Sequence, residues 1–105
     1  MTRIPGISEP YASQILGLFQ NLPKNTKIIL FGSRAKGNFR EGSDIDIALK
    51  GGKLDLEIRD EILEQYSHLY SPWKLDIVIY SLIEEPSLKE HIDRVGIELE
   101  RPPKN

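Results

Sequence analysis

The sequence predicts a single α/β domain over residues 1–105, a sandwich in which helices pack on a small mixed sheet. Three observations predict it. Segments with helical spacing of apolar residues alternate with strand-like runs, in the order helix, strand, loop, strand, helix, strand, helix. Those runs are short and rich in Ile, Leu and Val, as buried strands are. Acidic residues interrupt two of the runs, and they can share one site with the glycine loop that follows the first run only if the first two strands run antiparallel and the last two parallel.

Taken in order, Ser8 offers a helix N-cap with Glu9 and Pro10 in the first turn. Tyr11, Ile15, Leu18 and Phe19 follow at helical spacing, and Pro23 with Asn25 ends the helix. Lys27–Phe31 reads as a buried strand because Ile28, Ile29 and Leu30 are contiguous and apolar. Residues 32–43 form a loop punctuated by Gly32, Gly37 and Gly42, with room for one helical turn. From Asp44 to Leu49 the chain alternates strictly, so Asp44, Asp46 and Ala48 share one face of a strand and Ile45, Ile47 and Leu49 the other. Gly51-Gly52 breaks it. Leu54–Tyr70 carries a helical stripe of Ile58, Ile62, Leu63, Tyr66 and Leu69, stopped by Ser71-Pro72. Lys74–Tyr80 is a third strand with Asp76 opposite Leu75, Ile77 and Ile79. Ser87–Val95 is a last helix that Gly96 suits as C-terminal cap, and 97–99 suggests a short edge strand. Both ends, around Pro5-Gly6 and from Arg101 to Asn105, read as frayed.

Composition narrows the function. A chain of 105 residues buries roughly 65% of its unfolded surface, enough for a core. Charged residues at 29% and hydrophobic residues at 39% are ordinary for a globular protein. A net charge of -2 argues against a general nucleic-acid binder, which is usually basic. There is no cysteine, which rules out disulfides and zinc-thiolate sites and fits a reducing cytoplasm. No apolar run approaches membrane-spanning length and no signal-peptide stretch opens the chain, so a membrane partner is not expected.

The chemistry concentrates in residues 32–46. Gly32 and Ser33 sit where a buried strand ends, and after ten intervening residues come Asp44 and Asp46 on one strand face. Two adjacent carboxylates repel, the more so beside an apolar sheet. Hard divalent cations such as Mg²⁺ relieve that repulsion and take oxygen ligands. Asp76 interrupts the apolar run Leu75–Ile79, where a carboxylate is costly without a partner. If Asp44, Asp46 and Asp76 converge beside the loop that leaves the C-terminal end of the first strand, topology follows: the first and second strands are antiparallel, the second and third parallel, with Leu54–Tyr70 as the crossover. Glycines let backbone N–H groups approach phosphate, and Arg34, Lys36 and Arg40 add positive charge. A nucleoside triphosphate with Mg²⁺ uses both halves of this pattern. Asp44 and Asp46 would share two metal ions, and Asp76 would serve the metal and the acceptor hydroxyl. Arg34 and Lys36, near Ser33, are the favoured phosphate contacts. His68 and His91 lack metal-ligand spacing and read as surface or packing residues. Tyr66, Tyr70 and Trp73 read as core, and the acids of 55–64 as a solvated helix face.

Gly-Ser, ten residues, then Asp-x-Asp and a later strand acid resembles the nucleotidyltransferase superfamily of DNA polymerase beta. The longer stretch Gly32-Ser33-Arg34-Ala35-Lys36-Gly37, followed by Ser43-Asp44-Ile45-Asp46, is similar to its smallest members, the minimal nucleotidyltransferases (MNT or MntA-like proteins). Lys36 stands where the family often has arginine. The resemblance implies a polymerase-beta-like fold, triphosphate on Gly32 and Ser33, and Mg²⁺, or Mn²⁺ in its place, on Asp44, Asp46 and Asp76. It further implies an antitoxin that moves AMP from ATP to a hydroxyl, a tyrosine's, on a HEPN-domain toxin. Two other outcomes stand beside this: a binding module that neutralises by contact, or transfer to a small molecule. A partner or a second copy of the chain would complete the site.

Overall fold

The computed structural model describes residues 4–101. Its sheet has four strands in the order β3-β2-β1-β4, with β1 Lys27–Phe31, β2 Ile45–Lys50, β3 Leu75–Ile79 and β4 Ile97–Leu99. β1 pairs antiparallel with β2 and with β4, and β2 pairs parallel with β3. This is the mixed sheet expected if the glycine loop and the aspartates share one site. The helices are α1 Tyr11–Gly17, α2 Gly32–Lys36, α3 Leu56–Tyr66 and α4 Pro86–Val95, with a single 3₁₀ turn at Tyr80–Leu82. α3 makes the crossover between β2 and β3.

Strand alternation sorts the core onto two faces. Ile28, Leu30, Ile45, Ile47, Leu49, Leu75, Ile77 and Ile79 bury against α1 and α3 through Ile15, Leu16 and Ile62. Phe31 and Ala48 face the other way and pack with Ile92 of α4, joined by Ile29, Val78, Leu88 and Val95. Asp46 and Asp76 belong to this second, thinner face, because they alternate with Ile45, Ile47, Leu75 and Ile77. Among the described residues no helix is long and apolar enough to cross a membrane.

Several boundaries differ from the sequence expectation, each for a reason visible in the hydrogen bonds or the packing. Ser8 does not cap α1; the Glu9 carboxylate accepts the Ser13 N–H at 2.9 Å instead. α1 ends at Gly17 rather than near Pro23, because Leu18, Phe19 and Gln20 donate to carbonyls three residues back and tighten the chain into turns. Phe19 and Leu22 still reach the core, so their spacing persists without the α-helix. α3 begins at Leu56, where Asp55 accepts the Ile58 N–H at 3.0 Å as a true N-cap. Gly96 does cap α4, its N–H donating to the Ile92 carbonyl at 2.8 Å, but with φ -61; a Cβ there would meet the Ile92 carbonyl at 2.4 Å and Ile29 Cγ2 at 2.6 Å, so close approach is what requires glycine. Pro5 and Gly6 are not frayed: Ile4 and Ile7 beside them are buried, and the Pro5 carbonyl is hydrogen-bonded. Arg101 reaches the Leu22 and Pro23 carbonyls. Residues 102–105, also read as frayed, lie outside the described residues.

Candidate active site

β1 delivers the glycine turn. After Phe31 the chain enters α2 at Gly32 with φ +75, a left-handed conformation that glycine adopts without the Cβ penalty. The same position shows how close the turn lies to the acids: a Cβ built on Gly32 would sit 2.3 Å from Asp46 Oδ2. The N–H groups that open α2 have no helical carbonyl to bond and are the natural donors for an anion. The helical turn that the sequence allowed after Gly32 is therefore present, and Gly37 (φ +88) ends it.

β2 and β3 deliver the carboxylates. Asp46 is the register partner of Asp76 in the parallel pair and of Phe31 in the antiparallel pair. Paired residues of neighbouring strands point to the same face, so Asp76 faces with Asp46 and not away from it. Asp44 lies just ahead of β2, and its charge reaches Asp46. Burial pushes the Asp46 carboxyl above the usual carboxylate range, and the charges of Asp76 and then Asp44 push it further; Lys74 and His91 pull the other way. Asp46 is half-buried, while Asp44 and Asp76 are exposed. Among the described residues, no three acidic or histidine side chains close on one ligating point. Like charges spread apart, and exposed Asp44 and Asp76 have the rotamer freedom to turn inward. The donor set fits a hard divalent cation: carboxylates from adjacent strands on one face, one of them destabilised as an anion by the others, beside a turn with space only for hydrogen.

The basic residues divide. Lys36 is exposed at the end of α2, where a phosphate can reach it. Arg34 departs from its expected place on phosphate. It is 1% exposed, and its guanidinium donates to the carbonyls of Pro5, Glu41 and Ser43. A planar fork with donors on three sides suits several carbonyls at once, and here it turns the charge into the protein. Burial lowers the Arg34 pKa while the Asp46 charge opposes that fall.

His91 is the residue near the site that sequence spacing did not single out. Its ring stands edge-on to Phe31 with centroids 6.2 Å apart, and Phe31 is the partner of Asp46. Its place on α4 beside Ile92 is a packing signal and nothing more, so only the fold reveals its nearness. His68 is exposed and pairs with Glu64 at 3.1 Å. Tyr66 and Trp73 pack on the core as expected, but Tyr70 is 97% exposed, since the chain has left α3 before reaching it.

Comparison with known proteins accords with this geometry. The family described as Polymerase beta, Nucleotidyltransferase matches residues 13–102. A Haemophilus influenzae protein named "Probable protein adenylyltransferase MntA" is 31% identical over 81 residues, which is 76% of this chain and 70% of that protein. A chain from a crystal structure of a toxin-antitoxin with AMP-PNP superposes with a TM-score of 0.67 at 28% identity, over 86% of this chain and 73% of that one. A chain from the complex of tri-AMPylated Shewanella oneidensis HEPN toxin with MNT antitoxin gives a TM-score of 0.60 at 28% identity, over 86% of this chain and 69% of that one. Nucleotidyltransferases of this fold generally use divalent metals. This chain belongs to the polymerase beta nucleotidyltransferase family and is an MNT-like nucleotidyltransferase, an enzyme.

Proposed function

We propose that this enzyme moves the adenylyl group of ATP to a tyrosine hydroxyl of a HEPN-domain toxin and so acts as the antitoxin of the pair. The observation that carries the proposal is the register of Asp46 with Asp76, with Asp44 just ahead, on a sheet face beside the Gly32 turn. The named relatives support the choice of ATP and of a toxin as acceptor.

In this reading the backbone of Gly32 and Ser33 holds the triphosphate, and Lys36 adds charge to it. Asp44, Asp46 and Asp76 would hold two divalent cations, Mg²⁺ or Mn²⁺. When bound, the metal neutralises charge that develops on the attacking and leaving oxygens. Asp76, the outermost of the three acids on the edge strand, accepts the hydrogen bond of the acceptor hydroxyl and aims its oxygen. That oxygen bonds to the α-phosphorus, the bond to the bridging oxygen breaks, pyrophosphate leaves, and the phenolic proton passes to Asp76 or to water. Asp44 and Asp76 are exposed, so the toxin supplies the other wall of the site. The chain has no cysteine, and activity in a reducing cytoplasm suits it.

The test incubates the protein with ATP, Mg²⁺ and the HEPN toxin and follows intact mass. The toxin should gain one or more AMP groups with the native protein. The variant Asp44→Asn with Asp46→Asn should still bind the toxin and leave it unmodified. No transfer by the native protein, or undiminished transfer by the variant, would sink the proposal. Equal protection by the variant would instead favour neutralisation by contact.

A further inference from the structure

Arg34 is the largest side chain closed off from solvent, yet it belongs to the helix that follows the glycine turn. Its Nε and Nη2 donate to the Ser43 carbonyl at 3.3 and 2.8 Å. Nη2 also donates to the Glu41 carbonyl at 3.3 Å, and Nη1 to the Pro5 carbonyl at 2.8 Å. Its Cζ lies 5.1 Å from the centre of the Phe39 ring and 5.9 Å from that of Trp73. These partners are backbone carbonyls and ring faces, so what the guanidinium fixes is the path of the chain.

That path leads to the aspartates. Ser43 immediately precedes Asp44, which lies outside the β2 ladder; the first ladder bond runs from the Ile45 N–H to the Lys74 carbonyl at 2.9 Å. The position of Asp44 therefore depends on what holds Ser43. Within the loop, the Ser43 hydroxyl accepts the Arg40 N–H at 2.8 Å, and the Ser43 N–H donates to the Arg40 carbonyl at 3.0 Å. The Glu41 carbonyl also receives the Trp73 Nε1–H at 2.9 Å. Trp73 leads into β3 and Asp76, and its own carbonyl accepts the Tyr66 hydroxyl at 2.5 Å. Two donors from opposite segments thus clasp one carbonyl.

We propose that Arg34 is a positioning residue: through the Ser43 carbonyl and the Glu41 carbonyl it shares with Trp73, it locks the segment before Asp44 to the segment before Asp76. The clasp sets the spacing of the carboxylates that receive metal. The inference rests on the metal-site reading above. Lysine cannot replace the fork, because a single ammonium on a flexible stem cannot hold carbonyls on three sides. Phenylalanine at 73 keeps a ring but removes the shared donor.

The test compares the wild type with Arg34→Lys and Trp73→Phe. Mn²⁺ affinity is measured by calorimetry with a non-hydrolysable ATP analogue present, well below each melting temperature. Each variant should bind Mn²⁺ about tenfold more weakly, the size typical when a group orienting metal ligands is lost. In the transfer assay, kcat should fall by about 100-fold in Arg34→Lys, as a displacement near 1 Å predicts, with KM for ATP nearly unchanged and partial rescue at high Mn²⁺. A merely structural arginine would lower the melting temperature and leave the Mn²⁺ affinity of the folded variant at the wild-type value, which would overturn the inference. If Arg34→Lys does not fold, Trp73→Phe decides by the same criterion. A wild type that takes up no Mn²⁺ overturns the metal-site reading and this inference with it; normal uptake by wild type and variants overturns the inference alone.

Discussion

Replacing Gly32 with alanine puts a methyl group where the Asp46 carboxylate now sits. The added Cβ would lie 2.3 Å from Asp46 Oδ2 and 3.1 Å from its Cγ. Ordinary contact begins near 3.4 Å, so the carboxylate must withdraw by about 1 Å. The backbone is strained as well, since φ is +75; a left-handed alanine costs about 1–2 kcal/mol. Turning Asp46 off its rotamer adds about 0.5–1.5 kcal/mol. Together these destabilise the fold by about 2–3 kcal/mol, a fall in melting temperature of about 10 °C for a domain this size. The rate should fall further than stability suggests, by about 100-fold, because the displaced group is a proposed metal ligand. Gly37→Ala is the matched control: φ is +88, but nothing lies within 4 Å of its added Cβ. It should lose about 1–2 kcal/mol and keep its transfer rate. Melting by circular dichroism and the mass-based transfer assay read both variants. If Gly32→Ala melts with Gly37→Ala and transfers at the wild-type rate, Asp46 does not form a wall of the site.

Other perturbations follow from the same geometry. Because the native Asp46 carboxyl has a raised pKa, the folded state binds more protons than the unfolded one just above 3.8, and metal-free stability from this group falls as pH rises through that window. In EDTA, Asp46→Asn should therefore be more stable than wild type at neutral pH, with the advantage shrinking on acidification; urea titrations at several pH values that show a constant difference would refute this. Mg²⁺ with a non-hydrolysable ATP analogue at about 100 times its Kd should add about 2.7 kcal/mol and raise the melting temperature by roughly 10 °C, a gain that EDTA reverses. Tyr66→Phe, which removes the donor to the Trp73 carbonyl, should cost about 1 kcal/mol by urea unfolding. Tyr70→Ala, at a residue 97% exposed, should stay within about 0.5 kcal/mol of wild type.

The sheet was legible because its signals are local and strong. Ile28, Ile29 and Leu30 form an apolar run, and the alternation from Asp44 to Leu49 assigns every side chain to a face. The strand directions follow from a chemical constraint, one site shared by the turn at Gly32 and by Asp44, Asp46 and Asp76, and the observed register obeys it. Helix ends were harder. Whether Ser8 or Glu9 satisfies the first N–H groups of α1 depends on rotamers that spacing does not encode, and Glu9 takes that place.

In the sequence, Arg34 stands out by its charge and its nearness to Ser33. Its true partners, the carbonyls of Pro5 and Ser43, lie 29 and 9 residues away, and no pattern of residue types marks a carbonyl as an acceptor. Gly96 caps α4 as its place in the sequence suggests, but the crowding against Ile29 that demands glycine there comes from a strand far along the chain. Proximity in sequence groups Tyr70 with Tyr66 and Trp73; the end of α3 at Tyr66 separates them. Local periodicity thus carries the framework, and the departures lie at helix ends and where distant segments meet.

The most direct measurement is a crystal structure of the protein with Mn²⁺ and a non-hydrolysable ATP analogue, with the metal located by its anomalous signal. The account predicts metal bound by carboxylate oxygens of Asp44, Asp46 and Asp76 at about 2.1 Å, with the triphosphate against the backbone of Gly32 and Ser33. Metal bound elsewhere, or bound with Asp76 turned away from it, would contradict the account.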